Sequence, residues 1–189
     1  RFICMKNEKK SVIAVIGGGP AGLMAAGTAG GAGASVLLFE TNAKYGRKLL
    51  LTGAGKCNIT NSAPLKEFLD HFPENSKFLY PAFKQFFTEE LERFFNRYGL
   101  FFQREENGKI LPEDHRAESV LDVLLKYCRE SSVEFHAGEP VRRITKAQAK
   151  IETQAQAGWE VVTDKGVYHV DCVIIATGGL SYPGTGSAG

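Results

Sequence analysis

The first apolar run, Ser-Val-Ile-Ala-Val-Ile at residues 11–16, is short and continuous enough for a strand buried on both faces. A glycine cluster follows. Residues from Ala21 to about Gly31 are then expected to be helical, although Gly27, Gly30 and Gly31 lower the propensity and leave packing to hold the helix. A second apolar run, Val36-Leu37-Leu38-Phe39, ends at Glu40. Residues 41–61 show no period and read as a loop; loops that long are usually functional or disordered. Beyond Ser132 the pattern turns to strands. Val133-Glu134-Phe135 predicts a third parallel strand, and 141–145, 150–154, 159–163 and 167–170 an antiparallel meander with its tightest turn at Asp164-Lys165-Gly166. Cys172-Val173-Ile174-Ile175-Ala176 is again a buried parallel-type run.

Between these two regions, residues from about 62 to 131 change character. Ten of the thirteen phenylalanines lie between Phe68 and Phe102, which marks a separately packed segment. Thr88 is expected as an N-cap ahead of Glu89 and Glu90. Leu91, Phe94, Phe95 and Tyr98 then share one helical face, and Gly99 is the expected C-cap. Val120, Val123, Leu124, Tyr127 and Cys128 mark a second helix. Helical spacing assigns the aromatic stripe to the core of a mostly helical insertion rather than to a substrate wall.

The glycines after the first strand are Gly17, Gly19 and Gly22, in G-x-G-x-x-G spacing. The first permits a tight turn, the second lets main chain approach a pyrophosphate, and the third lets helix pack on strand. The helix that follows presents free N–H groups and its positive dipole end to phosphate. Glu40 stands where a ribose 2′-hydroxyl is accepted, and a structural glycine turn alone leaves it unexplained. This unit predicts an α/β, Rossmann-like dinucleotide-binding fold of parallel sheet, helices and antiparallel meander, interrupted by the helical insertion. Residues 1–10 read as a leader or disordered N-terminus, with Met5 a plausible start, and 11–189 as the nucleotide-binding domain.

A net charge of +2 with intermixed acids argues against nucleic acid. No apolar run approaches membrane-span length, and no secretory signal is present. Cys4, Cys57, Cys128 and Cys172 lack C-x-x-C or framework spacing, which suits a reducing cytoplasm and argues against structural zinc. His71, His115, His136 and His169 share no metal spacing and read as structural or exposed. Gly55-Lys56 fails as a P-loop, because Leu50 stands where glycine is needed and Cys57 where serine or threonine is needed. Basic neighbours of Cys57 would lower its pKa and favour a redox nucleophile. No cysteine lies nearby in sequence, so a buried or cofactor-adjacent thiol is the preferred reading.

Residues 17–22 with Glu40, the run Gly46-Arg47-Lys48-Leu49-Leu50 through Cys57-Asn58-Ile59-Thr60-Asn61, and Ala176-Thr177-Gly178-Gly179-Leu180-Ser181-Tyr182-Pro183 together resemble the bacterial YhiN/BaiN-type flavoproteins. These belong to the glutathione-reductase-like, two-dinucleotide-binding-domain FAD superfamily. Gly108-Lys109-Ile110-Leu111-Pro112 resembles the family's G-R-x-F-P segment, with Lys and Leu replacing the usual residues. The resemblance implies FAD as cofactor and NAD(P)H as electron donor. It implies that Gly17, Gly19, Pro20, Ala21 and Gly22 meet the pyrophosphate and Glu40 the adenosine ribose. Arg47 and Lys48 would meet phosphate or ribose, and Val141 would hold adenine by its backbone. Thr52, Gly53, Gly55, Cys57 and Asn58 would approach the isoalloxazine, with Ala176, Thr177, Gly178 and Gly179 completing the cofactor contacts.

Such flavoproteins are about twice this length, so the chain is expected to be an N-terminal portion. It would lack the substrate domain and be inactive alone. The expected activity of the intact protein is flavin-dependent hydride transfer to a small organic substrate in the cytoplasm, with no general acid or base assigned. An NAD-binding dehydrogenase domain and a non-catalytic nucleotide-binding fragment are the alternatives.

Overall fold

The computed structural model describes residues 10–72, 76–147, 158–181 and 183–185. In chain order the elements are β1 (Val12–Ile16), α1 (Pro20–Gly31), β2 (Ser35–Glu40), β3 (Thr60–Asn61), α2 (Leu65–Asp70), α3 (Ser76–Gln85), α4 (Thr88–Asn96), β4 (Phe102–Arg104), β5 (Lys109–Pro112), α5 (Ala117–Glu130), β6 (Glu134–Ala137), β7 (Val141–Lys146), β8 (Trp159–Thr163), β9 (Val167–Val170) and β10 (Cys172–Ile175), with 3₁₀ turns within Leu49–Gly55 and at Pro183–Thr185. They form two compact units, Arg1–Arg47 with Leu124–Gly189, and Lys48–Val123. All but the last residue of the expected leader at 1–10, and the expected strand at 150–154, lie outside the described residues. Among the described residues no helix is long and apolar enough to cross a membrane.

In the first unit a parallel sheet runs in the order β10-β1-β2-β6, so the chain builds outward from β1 in one direction and returns to add β10 on the other side. That reversal beside β1 is a topological switch point, where open α/β sheets bind ligands beyond the carboxyl ends of their strands. Alternation along the strands decides what covers each face. Ala14, Ile16 and Phe39 pack against Val161 and Val170 of the antiparallel sheet β7-β8-β9. Val15, Val36 and Leu38 are buried on the opposite face, where α1 contributes Leu23 and Ala26. The small residues of α1 also serve a second neighbour. A β-carbon at Gly27 would overlap the Tyr127 ring, and one at Gly30 the Ser131 carbonyl, so the end of α5 lies against bare helix backbone.

Beneath the end of β2 lies a polar cluster. Glu139, 2 % exposed, accepts from Thr163 Oγ1 (2.8 Å), Tyr168 OH (2.8 Å), His136 Nδ1 (3.1 Å) and Lys165 Nζ (3.1 Å). His136 and Tyr168 also pack their rings on Phe39, with centroids 4.7 and 5.0 Å away. His136 is thus structural, as expected.

The second unit holds the antiparallel sheet β3-β5-β4 beside α2, α3 and α4. It is not the expected 62–131 stretch, since it takes in 48–61 and gives up the C-terminal half of α5. Phe95 packs on Phe94 and Phe102, and Phe68, Phe83 and Phe87 form a second ring cluster. The aromatic stripe is therefore core in large part, while Phe78 stands 82 % exposed. Two local expectations are corrected. Thr88 is the first helical residue, not the N-cap, because its hydroxyl donates to the Asn61 carbonyl (3.0 Å); Glu90 instead reaches back to accept the Phe87 N–H (3.1 Å). The run 172–176 is not fully buried, because β10 ends the sheet order and Ile175 is 63 % exposed.

Burial works to raise the Glu139 carboxyl, but its hydrogen bonds from Thr163, Tyr168, His136 and Lys165 overcome this and hold it down at about 2. Its folded value lies below its unfolded one, so its contribution is complete above about pH 4.5 and is lost as pH falls through about 2. The melting temperature should fall across that window, and Glu139→Gln should lower stability at pH 7 by roughly 2 kcal/mol while flattening the acid limb. Thermal melts from pH 7 to 2 measure both effects.

Candidate functional site

The bend after β1 is made of main chain touching main chain. Gly17 adopts φ +108°, in the left-handed half of conformational space, and donates its N–H to the Phe39 carbonyl (2.8 Å). A side chain there would overlap the Ala176 carbonyl oxygen, and one at Gly22 would overlap the Gly17 carbonyl oxygen. Gly19 differs. Its β-carbon would meet nothing within 4 Å, so the space beside it is open. Gly19 also caps α1 without any side-chain bond, Pro20 follows at the first helical position, and the first turn carries no acidic residue. With Ala21 and Gly22 next in line, bare amides and the positive helix end adjoin that open space.

A fourth glycine was not singled out from the sequence. A β-carbon at Gly18 would overlap the Tyr45 ring. Its N–H donates to Glu40 Oε2 (2.8 Å), and its carbonyl accepts the Gly46 N–H (2.9 Å). Glu40 is half-buried at the end of β2 and turns its carboxylate toward the bend. Its other oxygen accepts the Asn42 N–H (2.8 Å) and Asn42 Nδ2 (2.7 Å). Asn42 Nδ2 also donates to the Thr185 carbonyl (3.1 Å), and Asn42 Oδ1 accepts from Arg47 Nη1 (3.1 Å). Asn42 was likewise missed, since a short polar residue in a loop has no sequence pattern of its own. Tyr45 donates its hydroxyl to the Leu38 carbonyl (3.2 Å), and burial, with the Glu40 charge behind it, pushes its phenol well above the usual range.

The first unit thus brings Gly17, Gly19, Pro20, Ala21, Gly22, Glu40 and Arg47 together with the main chain of Ala176 and Thr177. Gly178 and Gly179 continue that segment on the surface. Val141 starts β7 and packs toward the Phe39 cluster. Lys48, Thr52, Gly53, Gly55, Cys57 and Asn58 belong to the other unit. There the chain turns sharply, with Gly53, Ala54, Gly55 and Cys57 all at positive φ. Such a run is characteristic of segments whose geometry is imposed by their surroundings. Thr52 Oγ1 donates to the Leu49 carbonyl (2.6 Å), Cys57 N–H to the Thr52 carbonyl (3.0 Å), and the Asn58 carboxamide, turned to donate, to the Thr60 and Ile110 carbonyls.

Residues 11–189 match the HI0933-like protein Rossmann domain. The chain belongs to this family. Its members are the YhiN/BaiN-type flavoproteins that the sequence resembles. Among curated HI0933-like relatives, the ribosomal RNA dihydrouridine synthase of Escherichia coli is 30 % identical over 92 % of the chain. The 3-dehydro-bile acid delta(4,6)-reductase of Clostridium scindens is 34 % identical over 94 %. The chain spans 41 % of each relative's length. Among solved structures, L-proline dehydrogenase from P. horikoshii superposes at a TM-score of 0.57 with 14 % identity, covering 95 % of this chain and 56 % of that one. Thermovibrio ammonificans THI4 does so at 0.56 with 15 % identity, covering 89 % and 58 %. These likenesses show the Rossmann-like α/β fold.

At Cys57 the HI0933-like chain follows the preferred reading, a buried thiol, and not that of a redox nucleophile. The thiol is 2 % exposed, and burial pushes its pKa up, with a Thr52 hydrogen bond only partly opposing, so nearby lysines do not activate it. Cys128 is also buried, donates to the Leu23 carbonyl (3.1 Å) and is pushed up to about 11. Of these and exposed Cys172, a thiol reagent should modify Cys172 first and the two buried cysteines only on unfolding, as peptide mass mapping over time would show. The glycines predict a sharper contrast. Gly22→Ala should cost roughly 3 kcal/mol or more through backbone overlap, whereas Gly19→Val should leave the melting temperature nearly unchanged.

Proposed function

We propose that this chain is the FAD-binding part of a flavin-dependent reductase. The observation that carries this reading is the contrast within one bend: no room at Gly17 and Gly22, open space at Gly19, and the Glu40 carboxylate bonded to the amide between them. The residues fit the cofactor. The Gly19 and Ala21 amides and the α1 dipole would hold the pyrophosphate, with Pro20, which has no N–H, lining its approach. Glu40 Oε2, with one described donor, has acceptor capacity for a ribose hydroxyl. Arg47 would bind phosphate through the guanidinium donors that Asn42 leaves unused, with Lys48 adding charge. The Val141 main chain would hold adenine and 176–179 would add contacts, while the family resemblance alone assigns residues 52–58 to the isoalloxazine.

FAD held there would supply two-electron chemistry, with NAD(P)H as the proposed hydride donor and a substrate carbon as the acceptor, a proton completing the addition. Both curated relatives are named for saturating a carbon–carbon double bond, in a ribosomal RNA uridine or in a bile acid. The substrate class we infer is therefore a compound with a double bond polarised by a carbonyl. A small molecule is the first reading, and the E. coli relative's name supports an RNA base as the second.

The intact protein should purify with flavin absorbance that NAD(P)H bleaches and an enone restores. Colourless protein that binds nicotinamide nucleotide directly would favour a dehydrogenase instead. RNA binding that weakens steeply with salt would support the second substrate. Gly19→Val should lower FAD affinity by roughly a hundredfold, because a side chain would occupy the phosphate approach, and Glu40→Ala by about tenfold. Fluorescence titration of apoprotein with FAD reads both.

A further inference from the structure

The Glu40 carboxylate and the Arg47 guanidinium lie on either side of one carboxamide. A carboxylate and an arginine that share one hydrogen-bonding neighbour have as their alternative a direct, bidentate pair that consumes the acceptors of one and the donors of the other. Among the described residues they do not form it. Asn42 stands between them, donating Nδ2 to Glu40 Oε1 (2.7 Å) and accepting from Arg47 Nη1 (3.1 Å) at its oxygen. The same Nδ2 reaches the Thr185 carbonyl (3.1 Å), and the Asn42 main chain is fixed at both ends: its N–H donates to Glu40 Oε1 (2.8 Å) and its carbonyl accepts from Gly138 (2.9 Å). These partners determine which end of the amide is nitrogen and which is oxygen.

We propose that Asn42 is the positioning residue for the adenosine half of the nucleotide site. It keeps the ribose acceptor and the phosphate donor from neutralising each other and ties both to the segment after β10. This inference rests on the FAD reading above. The side-chain chemistry is restrictive. An aspartate offers Arg47 a full charge but has no donor for Glu40, so it sets two carboxylates at hydrogen-bond distance and recruits the guanidinium as their counter-ion. An alanine leaves Arg47 and Glu40 to collapse together.

The test is a double-mutant cycle in FAD affinity, measured on apoprotein of the intact protein, with melts of each variant to monitor folding. Asn42→Ala and Arg47→Ala should each weaken FAD binding by about tenfold, and the double variant by only about tenfold to twentyfold, because Arg47 contributes only where Asn42 holds it. Asn42→Asp keeps the shape of the side chain and should lose about as much as Asn42→Ala. A double variant weakened by the product of the single losses, or Asn42→Asp binding like the unaltered protein, overturns the role of Asn42. An unaltered protein that takes up no FAD overturns the cofactor reading itself.

Discussion

The first unit depends on backbone meeting backbone at one bend. Gly22 of α1 rests on the Gly17 carbonyl, and Gly17 rests on the carbonyl of Ala176 after β10. No side chain intervenes, so the separation of strand, helix and second strand is set by the radii of main-chain atoms rather than by adaptable packing. This closeness explains an α1 that is poor in intrinsic propensity. Gly27 and Gly30 weaken the isolated helix but let Tyr127 and Ser131 approach it, so tertiary contact supplies what local preference lacks.

Around the end of β2 two carboxylates take different parts. Glu139 is buried and saturated by four donors, which makes a removed-from-water charge tolerable and fixes the ring stack on Phe39. Its N–H donates to the Glu40 carbonyl, and the neighbouring Gly138 N–H to Asn42, so the saturated cluster holds the main chain from which the second carboxylate extends. Glu40 is half-buried, with three described donors distributed unequally over its oxygens. One acid is structural by completion; the other keeps capacity for a ligand.

What could be read from the sequence was whatever is local or strictly periodic. Residues 11–40 follow a strand–bend–helix–strand pattern whose spacing alone marks Gly17 and Gly22, and the helical faces of α4 and α5 follow from their apolar repeats. The rest depends on partners distant in sequence. Gly18 needs Tyr45, Thr88 needs Asn61, and the shift at Cys57 comes from burial that flanking lysines do not reveal. The sheet β3-β5-β4 has strands of two to four residues, too short for alternation to register. Asn107-Gly108 between β4 and β5, with Gly108 at φ +80°, was the one local signal for that hairpin. Asn42 has no pattern at all, because its partners are set by where three segments converge.

The position of Ala176 in the bend also bears on the order in which the protein is made. Val12 donates its N–H to the carboxylate of Asp171, 159 residues later, and β1 acquires β10 only when that length of chain exists. On a ribosome adding about 5–20 residues per second, the nascent strand waits roughly ten to thirty seconds with one edge unpaired. Through that interval Gly17 has its Phe39 bond but lacks the Ala176 carbonyl on which it rests. The bend is therefore one of the last features of this unit to mature during synthesis, although its glycines are made long before the strand that closes it.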